Sequence, residues 1–185
     1  MTKIYSFFIL LTLLSCSVKE KNAKPNLFYE LQKLSLSTVL VINSGSIDEY
    51  PVWSPEMDFI AVNLEGKWFK IELTNIDLIE GEWHGDRIGV IKKTNIRDLN
   101  ESDLRLWRRK KNYNTRKVKT TAGDEIELKL TDFSTSLIMK IGSSFPKTLW
   151  TTGMENCHSL SVSPDEKFIA YICELNGLFI TRIKQ

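Results

Sequence analysis

The chain has 185 residues, of which 42% are apolar and 26% are charged. This balance is typical of a globular protein and excludes a wholly disordered chain. The formal net charge of +2 is too small to indicate a nucleic-acid partner, and we expect none.

The N-terminal segment predicts export. Lys3 precedes a mostly apolar run from Ile4 to Leu14, which is shorter than the roughly 20 residues of a membrane-spanning helix and suits a signal peptide. The run ends in Leu13-Leu14-Ser15-Cys16, which resembles the bacterial lipobox. We therefore expect residues 1–15 to be removed and Cys16 to carry a diacylglycerol anchor. An ordinary secretory signal with an unrelated cysteine is the alternative.

The residues after Cys16 predict where the protein is anchored. Ser17 follows the cysteine where an Asp would indicate the inner membrane, so the resemblance to the lipoprotein sorting pattern implies the outer membrane of the bacterial cell envelope. Residues 16–26 are charged and contain few apolar side chains, which is typical of a tether. The folded domain is then predicted over residues 27–185.

Short runs of β-branched and aromatic residues predict an all-β domain. Each run is about five residues long and is followed by a cluster of turn-forming residues, as in strands joined by tight connections. In chain order the runs are STVLVIN, PVW, FIAVNL, KWFKIEL, RIGVI, EIELKL, SLIMKI, LSV, FIAYI and LFITRI.

One phrase occurs twice in the chain. VWSPEMDFIAV (Val52 to Val62) is nearly repeated as SVSPDEKFIAY (Ser161 to Tyr171). Each copy places a proline, whose φ is fixed near −65°, between a serine that can bond to the turn backbone and an acidic residue, which predicts a hairpin tip. The turn residues are Trp53, Ser54, Pro55 and Glu56 in the first copy and Ser163, Pro164 and Asp165 in the second. A third, shorter copy is predicted from Trp83 to Val90.

The repeated phrase resembles the TolB-type, WD-like β-propeller repeat, in which Trp-Ser-Pro and an acidic residue are followed by Ile-Ala. The fuller match runs from Thr135 to Ile183. There TSLIMKI resembles the outer strand of one blade, KTLWTTG a connecting segment, and NGLFITRI the third strand of the next blade. The glycine that the family has after the acidic residue is replaced here by Met57 and Glu166.

The length of the chain limits how complete a propeller can be. A closed ring needs 4 to 8 blades of four strands, and at about 40 residues per blade the residues from Cys16 onward hold four at most. We therefore expect a partial or degenerate β-propeller of antiparallel, blade-like sheets with a short helical insertion. Oligomerisation is one way in which such a ring is completed.

The register of the second hairpin predicts a disulfide between two cysteines. If the turn occupies Ser163 to Lys167, Val162 faces Phe168, and the same register places Cys157 opposite Cys173. A disulfide is then sterically accessible, and an exported protein meets an oxidising compartment. A slip of one residue would put the two thiols on opposite faces of the sheet, where they stay separate.

The most basic stretch lies between the two copies, in a predicted insertion over about residues 97–119. Asn100 is a suitable helix N-cap and the basic residues come late in the segment, which favours a short helix. Its first basic residues are Arg105, Arg108, Arg109, Lys110 and Lys111. They suggest contact with anionic lipid or polysaccharide headgroups, although a solvated surface insertion is the simpler interpretation.

No catalytic or metal-binding motif is evident in the sequence. The two histidines, His84 and His158, lie next to predicted hairpins, and nucleophile elbows, paired metal-ligand histidines and phosphate loops are missing from the pattern. We expect a non-enzymatic cell-envelope lipoprotein without cofactors that presents its sheets to an unidentified protein or glycan partner. The alternative is an accessory or remnant propeller module of a peptidase or hydrolase system.

Overall fold

A computed structural model describes residues 26–42, 47, 51–83, 85–92, 96–100, 116–132, 134–151, 156–174 and 177–183. These ranges contain one helix, α1 (Leu27–Lys33), and fourteen strands. The strands are β1 (Thr38–Ile42), β2 (Val52–Trp53), β3 (Phe59–Leu64), β4 (Lys67–Glu72), β5 (Leu78–Trp83), β6 (Asp86–Ile91), β7 (Ile96–Asp98), β8 (Lys117–Lys119), β9 (Glu125–Leu130), β10 (Thr135–Lys140), β11 (Lys147–Thr151), β12 (Cys157–Val162), β13 (Phe168–Cys173) and β14 (Gly177–Arg182).

The strands form three sheets. The middle sheet has the order β12-β13-β14-β1-β6-β5, the first outer sheet β2-β3-β4-β7, and the second outer sheet β11-β10-β9-β8. Neighbouring strands are antiparallel except β1 and β6, which are parallel. The predicted all-β class with antiparallel sheets is confirmed. The described residues form no closed barrel, and blades arranged around a common axis are not shown.

The middle sheet lies between the two outer sheets. Every residue of β13 is buried, and because side chains alternate between the faces of a strand, β13 contributes to two cores. Phe168, Ala170 and Ile172 pack in the core shared with the first outer sheet. Ile169, Tyr171 and Cys173 pack in the core shared with the second outer sheet. The fold therefore has three stacked layers.

Helix α1 covers one end of the first core. Its N-terminus is capped by Asn26, whose Oδ1 accepts a hydrogen bond from the Tyr29 N–H at 2.8 Å, and such a cap stabilises a helix by about 1 kcal/mol. The Leu27 N–H donates to the Leu73 carbonyl at 2.8 Å, and the Phe28 ring lies 4.1 Å from that of Phe168. Asn26, which the sequence placed at the end of the tether, thus belongs to the fold.

Buried hydroxyl groups form hydrogen bonds that connect strand β1 to the C-terminal strands. Oγ1 of Thr181 lies 2.9 Å from Oγ1 of Thr38 and 2.9 Å from the hydroxyl of Tyr171. These bonds connect β1, β14 and β13 across the middle sheet. The first strand of the described chain therefore completes a four-stranded antiparallel unit with the last three, β12-β13-β14-β1.

Several elements differ from the sequence prediction. Strands β5, β7, β8 and β11 were not predicted, and neither was α1. KTLWTTG was predicted to be a connection, but it contains β11, the edge strand of the second outer sheet. TSLIMKI was predicted to be an outer strand, but it contains β10, which has a neighbour on both sides. Within the described ranges, no helix is long and apolar enough to cross a membrane.

The predicted third copy of the repeat is a different kind of hairpin. Trp83 pairs with Asp86 across a two-residue turn, whereas the serine-proline hairpins have longer loops. Its second strand, β6, joins the middle sheet beside β1. The third copy is therefore not an equivalent unit.

The ends of the predicted basic insertion are strands. Strand β7 pairs with β4, and β8 pairs with β9, so these ends belong to the two outer sheets. The predicted helix after Asn100 lies outside the described residues.

Candidate functional site: the paired serine-proline hairpins

The first serine-proline turn is held by the serine at its start. Ser54 is fully buried, and its Oγ accepts a hydrogen bond from the Phe59 N–H at 3.1 Å and donates one to Asp58 Oδ1 at 2.7 Å. The Met57 N–H donates to the Ser54 carbonyl at 3.1 Å and closes the turn over Pro55. The carboxylate in this network is that of Asp58, which was not predicted, whereas Glu56 is exposed.

The second turn repeats this arrangement. Ser163 is buried, and its Oγ accepts from the Phe168 N–H at 3.0 Å and donates to Asp165 Oδ1 at 2.7 Å. The Glu166 N–H donates to the Ser163 carbonyl at 2.9 Å, closing the turn over Pro164. The predicted serine and acidic residue are therefore both part of the turn network in this copy.

The residue that closes each turn has a left-handed backbone. Met57 has a φ of 58° and Glu166 a φ of 57°. Glycine adopts this conformation at little cost, while other L-residues pay about 1 kcal/mol or more. Met57 and Glu166 thus stand at a position where the backbone of the turn requires a positive φ.

Side-chain hydrogen bonds link the hairpins to neighbouring sheets at two contacts. The buried Trp53 of the first outer sheet donates from Nε1 to the Ser161 carbonyl of the middle sheet at 3.1 Å. Glu166 accepts hydrogen bonds from the N–H and Oγ1 of Thr121, at 2.7 and 2.9 Å, in the turn between β8 and β9. Both contacts join residues distant in sequence, and no local pattern could have predicted them.

The cysteines of the second hairpin form a disulfide. Cys157 and Cys173 are directly opposed in the register of β12 and β13, their Cα atoms are 4.1 Å apart, and both are fully buried. The pairing agrees with the sequence prediction.

The register near the turn does not agree with the prediction. Val162 faces Ile169 instead of Phe168, because six residues, Ser163 to Phe168, separate this pair, whereas the prediction placed five, Ser163 to Lys167. A β-bulge between His158 and Ser161, where Ser159 has a φ of 57°, adds one residue to β12. The bulge restores the predicted register at the cysteines.

His158 lies beside this bulge. Its Nδ1 is 2.7 Å from the hydroxyl of Ser159. Burial lowers the pKa of His158; the nearby Glu174 opposes this effect and Arg116 adds to it. The ring is half-buried, and its hydrogen-bond partner is the hydroxyl of the next residue. His84 lies outside the described residues.

The outward face of the second outer sheet is polar. Lys117 and Lys119 lie 3.0 and 2.9 Å from the carboxylate of Glu125. Hydrogen bonds from Lys119 and Lys117 lower the pKa of Glu125 to about 2. The side chains of both lysines on this face are exposed to solvent.

Other predicted sites cannot be placed. Cys16 and the basic residues Arg105, Arg108, Arg109, Lys110 and Lys111 lie outside the described residues. In the part of the chain that the structure describes, His, Cys, Asp and Glu side chains form no group that could hold a metal ion.

Comparison with protein-family models, curated proteins and solved structures finds no match for this chain. The resemblance to propeller repeats therefore depends on the repeated phrase and on the geometry of the two hairpins that it forms.

Proposed function

We propose that this chain is an exported, lipid-anchored protein of the bacterial cell envelope, without enzymatic activity, that presents propeller-like sheets to a protein or glycan partner. The lipid is attached to Cys16, and the outer membrane is the site of anchoring. The sheets form a partial β-propeller.

The buried disulfide is the observation that carries the proposal of export. Disulfides persist in oxidising compartments and are rare in the cytosol of most bacteria. Cys157 and Cys173 have no exposed surface and lie directly opposite each other. Together with the apolar run that precedes Cys16, this bond favours a protein that folds outside the cytoplasm.

The equivalence of the two hairpins supports a partial propeller. In each copy the residue before the phenylalanine accepts a hydrogen bond from the end of the third strand: Leu73 N–H to the Asp58 carbonyl, and Ile183 N–H to the Lys167 carbonyl, both at 2.8 Å. The copies lie in adjacent, stacked sheets. The second outer sheet adds a third four-stranded unit built from consecutive strands.

A binding role without catalysis is supported by how the polar groups of the repeat are used. The hydroxyls of Ser54 and Ser163 hold their own turns, and His158 bonds to Ser159. The strands at the sheet edges, such as β5 with its exposed Ile79, present backbone groups and apolar surface that a partner could contact.

Replacement of Cys16 tests the lipid anchor. Cells labelled with a palmitate analogue should give a labelled wild-type protein in the outer-membrane fraction, and Cys16→Ser should abolish the label. Ser17→Asp is the matched variant: it should keep the label and move the protein to the inner-membrane fraction. A label that persists in Cys16→Ser would refute lipidation at this residue.

Chemical cross-linking in intact cells, followed by purification from detergent-solubilised envelope, tests the binding role. We expect a non-hydrolase protein or an envelope glycan to be recovered in proportion to the bait. A stoichiometric peptidase or hydrolase would instead support the accessory-module alternative.

A further inference from the structure

A groove lies between the C-terminal end of α1 and the second serine-proline hairpin. Its volume is about 510 Å³, within the usual range for small-molecule sites. The polar residues that line it are Gln32, Ser35, Ser37, Lys167 and Arg182. Apolar side chains, among them Leu36 and Ile183, form its floor.

The backbone fixes both walls of the groove. On the helix side, the Leu36 N–H donates to the Leu31 carbonyl at 2.9 Å and ends α1. On the strand side, the Arg182 N–H donates to the Ser37 carbonyl at 2.7 Å and the Ile183 N–H to the Lys167 carbonyl at 2.8 Å. The backbone segments that carry the polar side chains are thus hydrogen-bonded to each other. Because these segments are already ordered, the entropic cost of binding a ligand is lower.

The groove carries two cations and little compensating charge. Lys167 is 62% exposed, and its Nζ lies 3.9 Å from Asp165 Oδ2, a long and solvated ion pair that contributes little stability. Arg182 is exposed and forms no ion pair with any residue that the structure describes. Both cations are therefore accessible to an anion from solution.

The first hairpin shows that the fold does not need cations at these positions. Lys167 corresponds to Asp58, because each precedes the phenylalanine and accepts from the end of the third strand. Arg182 faces Phe168 as Glu72 faces Phe59. The first copy thus has two acidic residues at these positions. The second copy, where the groove lies, has two basic residues.

We propose that this groove binds a small hydroxyl-bearing anion. One carboxylate or phosphate group is held by Arg182 and Lys167, since the guanidinium fork matches either group in a bidentate geometry. The hydroxyl groups of the ligand bond to Gln32, Ser35 and Ser37. Sugar acids and glycerol phosphates have this chemistry. The inference does not depend on lipid attachment or on the identity of a protein partner.

Titration of the purified full-length chain in nonionic detergent tests this site. The probes are glucuronate, which carries a carboxylate, and glycerol 1-phosphate, with glucose as the neutral control. Binding is followed by calorimetry and by the backbone amide NMR shifts of Ser37 and Ile183. We expect at least one anion to bind with a Kd of about 1 mM or lower, more weakly at high salt, and glucose not to bind.

Two charge-reversal variants distinguish the groove from general attraction to anions. Arg182→Glu installs the residue found at the equivalent position of the first hairpin, so the fold should be kept, and it should weaken binding by about tenfold or more. Lys129→Glu makes the same charge change on the exposed end of β9 and should leave the Kd unchanged. The proposal is overturned if neither anion binds, if glucose shifts the same amides, or if Lys129→Glu weakens binding as much as Arg182→Glu.

Discussion

Removal of either turn serine should destabilise the protein, and the two losses should be similar. Ser54→Ala and Ser163→Ala each delete one buried hydroxyl that accepts a backbone N–H and donates to a carboxylate. Because each variant removes only a hydroxyl group, the loss of stability measures the contribution of the side-chain hydrogen bonds in one turn.

The expected loss follows from the bonds that each hydroxyl makes. Leaving the N–H of Phe59 or Phe168 without its acceptor costs about 1–3 kcal/mol, and the hydrogen bond to the carboxylate is lost in addition. We expect a decrease in the free energy of unfolding of about 2–3 kcal/mol for each variant. At about 2–4 °C per kcal/mol for a chain of this size, the Tm should fall by about 4–12 °C.

Urea unfolding of the oxidised protein, followed by circular dichroism, measures these losses. Ser136→Ala is the matched control, because Ser136 also bonds through its hydroxyl, to Thr151, but at an exposed site, and it should change stability by less than about 0.5 kcal/mol. The double variant of Ser54 and Ser163 should lose the sum of the two single effects, since the two hydroxyls share no bonding partner.

Two results would refute this reasoning. If both turn variants are as stable as Ser136→Ala, the serine hydroxyls do not hold the turns. If one variant loses several kcal/mol and the other nothing, the two hairpins are not equivalent units.

Three further predictions concern the turn backbone, the disulfide and the polar outer face. Met57→Gly should be more stable than Met57→Ala by about 1 kcal/mol, because both variants lose the side chain that packs against the first core but only glycine adopts the φ of 58° at little cost; an equal or lower Tm for the glycine variant would contradict this. Replacing both Cys157 and Cys173 by alanine should cost about 3 kcal/mol for a sequence separation of 16, and in the native protein neither cysteine should react with iodoacetamide without reductant. The pKa of Glu125 is lowered from 4.5 to about 2, so its stabilising contribution is complete above pH 4.5 and is lost as the pH falls towards 2. The Tm of Glu125→Gln should therefore fall less than that of the wild type between pH 4.5 and 2. If both proteins lose the same Tm over this range, the ion pairs of Glu125 with the two lysines are excluded.

The strands that could be predicted are those with a strong apolar pattern. FIAYI and the first three residues of LFITRI are buried on both faces, so their side chains are apolar at consecutive positions. Strands β7 and β8 have only three residues each and mostly polar side chains, since they lie at sheet edges. Helix α1 has seven residues, which is too short for a helical period to be recognised.

The disulfide was predicted correctly from an incomplete register. The predicted turn was one residue too short, and the bulge at Ser159 compensated for that error at Cys157. Bulges depend on the packing of the whole sheet, so the sequence alone could not locate this one.

The groove could not be predicted because its residues come from three separate parts of the chain. Ser37 follows α1, Lys167 lies in the second turn, and Arg182 ends β14. Nothing in the local pattern around each residue distinguishes it from an ordinary surface residue. The backbone hydrogen bonds from Arg182 to Ser37 and from Ile183 to Lys167 bring these segments together.

An experimental structure of the intact chain is the most direct test of the propeller-like arrangement. The account predicts that the three four-stranded units lie around one axis, with β2, β8 and β12 nearest to it, because β12 contacts both β2 and β8 and Trp53 bonds across to Ser161. Three layers whose sheets share no common axis, or a Trp53 indole far from the Ser161 carbonyl, would contradict it.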